Sequence, residues 1–224
     1  MGISAEKAAY NYIRNAIINR KFLPNEQIVE QNIVELTGLS RTPVRSALKT
    51  LNNEGLVVLR PNRGAYVTNP SHQEVRDLYE CKLMLEIEMA RLACFHITEE
   101  DITNLRTLLS QSIENQSKAI YDSFLNTNYE FHMIIAQASG NNILAKYEHE
   151  LLMRSNAALL VYDDFREVSL EEMESFKEHQ RIIDALCIHD ERAVMKAMLD
   201  HTLNTYNTFR LSLPLRYVYR LPEE

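Results

Sequence analysis

The sequence predicts a mainly α protein in two parts. An N-terminal winged helix-turn-helix with a small β-hairpin wing precedes a C-terminal, all-α, six-helix antiparallel bundle. Three observations carry this expectation. Five glycines and six prolines in 224 residues are too few for a turn-rich all-β chain. Apolar residues recur at helical spacing through most of the sequence. Charge also divides near residue 70: residues 1–70 hold nine Lys/Arg against five Glu and no Asp, a net of +4, and the remainder carries −11. A basic head on an acidic body suits a protein whose first third alone approaches nucleic acid.

The remaining bulk properties narrow the class. Apolar content of 46% and charged content of 25% are ordinary for a globular protein. No apolar run approaches a membrane span, and MGISAEKAAYNYIRN lacks a hydrophobic signal region. A cytoplasmic location with no membrane partner is therefore expected. Cys81, Cys94 and Cys187 are odd in number and widely spaced, so buried thiols are expected rather than disulfides or a zinc cluster.

In the first part, residues 7–20 place Ala9, Ile13, Ala16 and Ile17 on one helical stripe, and Pro24-Asn25 signals the turn that follows. Glu30 to Thr37 reads as a short helix with Ile33, Val34 and Leu36 apolar, capped by Gly38. The stretch GLSRTPVRSALKTLNNEG then reads as the second helix of a helix-turn-helix. Ser40 is expected to cap it, and Pro43 sits in the first turn, where a missing N–H costs nothing. Val44, Ala47, Leu48 and Leu51 form its apolar stripe, while Arg41, Thr42, Arg45 and Lys49 lie largely off it. Such a helix can enter the DNA major groove, although the same pattern also fits an ordinary amphipathic surface helix. LVVLRP and AYVTN flank Asn62-Arg63-Gly64 and predict the hairpin wing, with Arg60 and Arg63 near its tip.

The segment PNEQIVEQNIVELTGLSRTPVRSALKTLNNEGLVVLRPNRGAYV resembles the DNA-binding domain of the GntR family of bacterial transcription regulators. The resemblance covers about residues 8–68 and departs from the usual pattern at Asn25, where glycine is common, and at Ile33-Val34. It implies that Arg41 and Arg45 read bases and that Ser40 and Thr42 bind phosphates. It also implies that Gly64 lets the wing backbone approach the duplex.

Thr68-Asn69-Pro70-Ser71 reads as a short hinge, and Ser71 with Glu74 as the capping box opening a second domain over 71–213. Helices are expected at 72–95, 99–117, 119–139, 142–163, 170–188 and 191–211, with further capping boxes at Thr98/Asp101 and Ser169/Glu172. Short connections of this kind join antiparallel neighbours. The tail over 214–224 has no assigned role.

Leu125, Asn128, His132, Ile135 and Ser139 fall on one helical stripe, so Asn128 and His132 point together into the bundle. Phe176, His179, Ile183 and Leu186 form a second stripe, and Val194, Met198, His201 and Thr205 a third. Three inward histidines fit a Zn²⁺, Ni²⁺ or similar divalent site, and also fit three separately satisfied core histidines. His72, His96, His149 and His189 are expected at the surface or in turns.

LYECKLMLEIEMARLA, NYEFHMIIAQASGN, EHQRIIDAL and MLDHT resemble the FCD effector domain of the FadR-type branch of the GntR family, in its shorter, VanR-like six-helix version. The resemblance implies a divalent metal held by an Asp and three His, here Asn128, His132, His179 and His201. It also implies a small effector, often an organic acid, and a homodimer on an inverted-repeat operator, usually as a repressor rather than an enzyme. Lys82 stands where the family often has Arg, and is either a point charge for the effector carboxylate or a surface lysine. Tyr79, Glu86 and Arg154 are weaker candidates for the same pocket. Two other functions stay open: a metal-dependent hydrolase with a DNA-binding head, and a regulator whose metal site is degenerate.

Overall fold

A computed structural model describes residues 3–114, 120–162, 174–216 and 219. The chain divides into two compact units, Met1–Ser71 with Asn156–Tyr162, and His72–Ser155 with Asp163–Glu224.

The first unit contains α1 (Ala5–Ile18), β1 (Gln27–Ile28), α2 (Glu30–Thr37), α3 (Arg41–Asn53), β2 (Val57–Arg60) and β3 (Gly64–Val67). The expected stripes are its core: Ala9, Ile13, Ala16 and Ile17 of α1 and Val44, Ala47, Leu48 and Leu51 of α3 are all buried. Leu36, by contrast, is exposed, so α2 contributes Ile33 to the core and Val34 to its edge. Gly38 ends α2 at φ 71, the left-handed conformation that Gly adopts without a Cβ clash. Asn25 has φ 65. That explains the frequent glycine at this position, and Asn is among the few other residues that tolerate it. Ser40 occupies the N-cap of α3 in extended geometry, but its hydroxyl makes no capping bond.

β2 and β3 pair antiparallel with Arg60 opposite Gly64, the hairpin read from the sequence. A two-residue strand absent from the sequence reading, β1, pairs with the other edge of β3 and makes the sheet three-stranded in the order β1-β3-β2. Two alternating residues are too short for a periodicity to register. The end of a later helix also belongs to this unit. Ala157 joins its core, Val161 O accepts from Arg20 Nη2 at 3.2 Å, and Tyr162 Oη donates to Pro70 O at 2.6 Å.

The second unit is built from α4 (His72–His96), α5 (Glu99–Glu114), α6 (Ile120–Ala138), α7 (Asn142–Tyr162, to Ser155), α8 (Glu174–Cys187) and α9 (Glu191–Thr208). α4 packs on α6 and α9, α8 on α5 and α9, and α5 on α6. Thr98 and Asp101 form the expected capping box, with Thr98 N donating to Asp101 Oδ2 at 3.0 Å and Asp101 N to Thr98 Oγ1 at 3.1 Å. Asn141 caps α7 and Asp190 caps α9. The helix ends expected at 115–119 and over 163–173, with the Ser169/Glu172 capping box, lie outside the described residues. All three cysteines are free, but only Cys94 is buried; Cys187 is half-buried and Cys81 exposed, because α4 turns position 81 outward. The tail is anchored at Arg216, whose backbone N–H and guanidinium donate to Glu80 and whose Nη2 donates to Asp77.

Candidate functional site

α6, α8 and α9 each turn one histidine into the interior, because each carries it on the stripe that holds its buried apolar residues. His132, His179 and His201 are 1%, 2% and 4% exposed, and one ring nitrogen from each lies within 4.8 Å of the others. His132 Nε2 and His201 Nε2 are 3.2 Å apart. His201 Nδ1 lies 2.8 Å from Glu178 Oε2, and Glu178 Oε1 accepts from Asn204 Nδ2 at 2.6 Å. Such a carboxylate holds the imidazole proton on Nδ1 and leaves the Nε2 lone pair facing inward. His132 Nδ1 lies 3.1 Å from Glu86 Oε1, without the geometry of a full hydrogen bond. His179 stacks on Phe131 at 4.0 Å between ring centroids, and its buried Nε2 has no hydrogen-bond partner among the described residues.

Burial favours the neutral form of His132 and His179. It pushes His132 down to about 4, the nearby Glu86 only partly opposing it. His179 is held well below the ordinary imidazole range by burial first and by His201 and His132 next. Neutral imidazoles are metal ligands. Two nitrogens on one tetrahedral Zn²⁺ at 2.0–2.1 Å would stand about 3.3 Å apart, close to the His132–His201 separation. The three residues fit a divalent cation, and the orphaned His179 nitrogen is the atom such an ion would satisfy.

Behind His132 is a buried charge cluster. Lys82 Nζ is 2.7 Å from Glu86 Oε1 and 3.7 Å from Glu148 Oε1, and Thr202 Oγ1 donates to Glu86 Oε2 at 2.8 Å. Burial works to lower Lys82, but the two carboxylates outweigh it and hold the ammonium above its usual range. Burial would raise Glu86 too, but Lys82 and His132 hold it well below the carboxylate range. Glu148 is 0% exposed, and neither of its oxygens has a hydrogen-bond partner among the described residues. Burial pushes its carboxyl up to about 8. Glu86, His132 and Glu148 also lie close enough to form a second cation cage, but Lys82 already supplies its positive charge.

The sequence candidates separate on this geometry. Lys82 is 4% exposed, which excludes the surface-lysine reading. Lys82 and Glu86 adjoin His132. Tyr79 is buried against the Tyr206 and Phe209 rings. Arg154 is exposed on α7, and among the described residues no hydrogen bond or ion pair links it to the histidines. Asn128 is half-buried one helical turn before His132. His72, His96, His149 and His189 are all exposed, as expected. Sequence reading missed Glu178, Asn204 and Glu148. An acid within the stripe Leu144, Glu148, Leu152, Ser155 was the available signal for the last.

In the first unit Ser40, Arg41, Thr42, Arg45 and Lys49 are exposed along α3, opposite its buried stripe. Arg60, Arg63 and Gly64 are exposed at the wing tip. The Arg60 guanidinium lies 4.3 Å from the Tyr66 ring centroid, and Gln27 Nε2 donates to Arg63 O at 2.8 Å.

Comparison with known proteins agrees with both units. Residues 5–67 match the bacterial regulatory proteins of the gntR family, and residues 77–204 match the FCD domain. The Uxu operon transcriptional regulator of Escherichia coli (strain K12) is 29% identical over 209 residues, covering 86% of this chain and 81% of that protein. The HTH-type transcriptional repressor RspR of the same organism is 29% identical over 192 residues, covering 86% and 83%. Among solved structures, E. coli McbR/YncC shares the fold, with a TM-score of 0.73 at 20% identity over 93% of this chain and 98% of that one. Among the described residues no helix is long and apolar enough to cross a membrane. The matched families and relatives are transcription regulators and not enzymes, which removes the hydrolase reading. The chain belongs to the gntR family of bacterial transcription regulators, with a winged helix-turn-helix followed by an FCD domain.

Proposed function

We propose that this regulator is a homodimeric repressor that binds an inverted-repeat operator and is controlled by a small organic acid in a metal-containing pocket of its second unit. The convergence of His132, His179 and His201, with His179 Nε2 unsatisfied, is the observation that carries the reading. His132, His179 and His201 would hold Zn²⁺ or Ni²⁺, with Asn128 adding its amide oxygen. When bound, the ion supplies a Lewis-acid position for an effector carboxylate. Lys82 and Glu86 lie behind the His132 ring, on its Nδ1 side, where Lys82 supplies a buried positive charge to the pocket wall.

On the DNA side, Arg41 and Arg45 read base edges from α3, while Ser40, Thr42 and Lys49 contact phosphates. Arg60, Arg63 and the Gly64 backbone meet the duplex from the wing. A two-fold dimer presents its recognition helices to half-sites about one helical turn apart. The effector changes operator affinity only through its differential affinity for the DNA-competent and DNA-incompetent states. The repressor named among the relatives supports the sign of regulation.

Elemental analysis of the full-length protein, with His179→Ala beside it, tests the pocket. The reading requires about one divalent ion per chain in the wild type and its loss in the variant. Wild-type protein without metal after purification in zinc- or nickel-supplemented buffer would sink it.

A further inference from the structure

Both recognition arginines are held by the first turn of α2. Arg45 Nε donates to Glu30 Oε2 at 2.7 Å, and Arg41 Nη2 donates to Gln31 Oε1 at 2.9 Å. Glu30 and Gln31 are consecutive, and Arg41 and Arg45 are one turn apart, so two parallel contacts join the same pair of helices. The side chains of Arg45 and Glu30 are 62% and 34% exposed. An ion pair that open to solvent adds little to stability, so fold stability gives little reason for it.

The two contacts differ in charge and in the edge they occupy. Gln31 is neutral and leaves Arg41 its full positive charge. Glu30 offsets the charge of Arg45 and takes its Nε–H. A guanidinium carries five N–H donors in a rigid fork, so the terminal Nη edge of Arg45 keeps its donors, and this edge can bind guanine O6 and N7 in a bidentate pair.

We propose that Glu30 is a positioning and specificity-determining residue: it holds Arg45 with its terminal edge toward a guanine and weakens attraction to DNA of the wrong sequence. The proposal rests on the reading of Arg45 as a base-contacting residue. A carboxylate at the groove repels phosphates wherever the protein lands. Arg45 overcomes this only where a guanine accepts both Nη donors. Glu30 therefore lowers non-specific affinity more than specific affinity.

The test is selection from a randomised duplex library with full-length wild type, Glu30→Gln, Gln31→Ala and Arg45→Ala. Each protein is then titrated on the wild-type consensus duplex and on a scrambled duplex at several salt concentrations. Wild type is expected to give an inverted repeat with a strong guanine column in each half-site, and Arg45→Ala to lose that column. Glu30→Gln should bind the scrambled duplex several-fold more tightly, with a salt dependence steeper by about one counterion per protomer. Its preference for guanine at the Arg45 column should fall about tenfold, within the discrimination one bidentate contact supplies. Gln31→Ala removes no charge and should leave the salt slope unchanged. A Glu30→Gln selection identical to wild type, with the column still lost in Arg45→Ala, overturns the role of Glu30 alone. A column that survives Arg45→Ala overturns the Arg45 assignment and this proposal with it.

Discussion

His132 Nε2 and His201 Nε2 stand 3.2 Å apart in the interior of the second unit, each ring backed on its far side by a carboxylate, Glu86 for one and Glu178 for the other. Two lone pairs facing at that distance repel unless a proton or a cation lies between them. Burial keeps His132 neutral at neutral pH, and in the tautomer with its one N–H on Nδ1, toward Glu86, both Nε2 lone pairs are free for a cation.

Removing the ion should therefore destabilise the second unit. A ligand that binds only the folded state, at a free concentration a thousandfold above its Kd, stabilises by about 4 kcal/mol. At roughly 2–4 °C per kcal/mol for a chain of this size, EDTA treatment should lower the melting temperature by about 10 °C. Differential scanning calorimetry with and without chelator measures this, and coincident melts would contradict it.

Glu178→Gln should weaken zinc binding about 10- to 100-fold while the three ligands stay in place, since a partner of this kind orients the ring and raises its basicity. Competition with a chromogenic chelator reports the affinity. An unchanged Kd would mean that the Glu178–His201 contact is only structural.

The metal-free protein should lose stability on the alkaline side because of Glu148. Its folded value near 8 lies above the ordinary carboxyl value of 4.5, so the folded state binds the extra proton. The resulting stability is fully present below pH 4.5 and is lost as pH rises through 8, a contribution on the order of 4 kcal/mol by pH 8. His132 has the opposite sign. Its folded value near 4 lies below the ordinary 6.5, so stability is lost as pH falls from 6.5 toward 4. Urea titrations of chelated protein from pH 6.5 to 8 should show a decline in wild type that Glu148→Gln removes. Parallel curves would refute it.

Gly64→Ala tests the wing. Gly64 has φ +89, and a Cβ there would meet Gln27 Nε2 at 3.4 Å. The left-handed conformation alone should cost about 1 kcal/mol in the first unit. A filter-binding titration should show weaker DNA binding while far-ultraviolet circular dichroism stays unchanged. Wild-type affinity would argue against close approach of the wing backbone.

Much of the fold was legible because burial in amphipathic helices leaves a period. The stripes through Ile13, through Val44 and Leu48, and through His132 and Ile135 all became core. Local chemistry was legible too: Gly38 terminates α2 and Thr98 with Asp101 opens α5. Other features were not. β1 is two residues long, and only its partner β3 makes it a strand. Leu36 matched the apolar pattern of α2 and is nonetheless exposed. The anchoring of the tail depends on Glu80 and Asp77, more than a hundred residues upstream of Arg216.

By itself the sequence determined the two-part architecture, the exposed basic face of α3 and the three inward histidines. Each of these follows from composition, charge or a period of 3.6 residues within a single segment. Tertiary structure decided the partners: Glu178 on His201, Glu86 and Lys82 behind His132, Glu148 beside Lys82, and Glu30 on Arg45. Apart from the Lys82–Glu86 contact, one turn apart on α4, these pairs join different elements. Helical periodicity states which way a side chain points, but only the packing of one helix on another states what it meets.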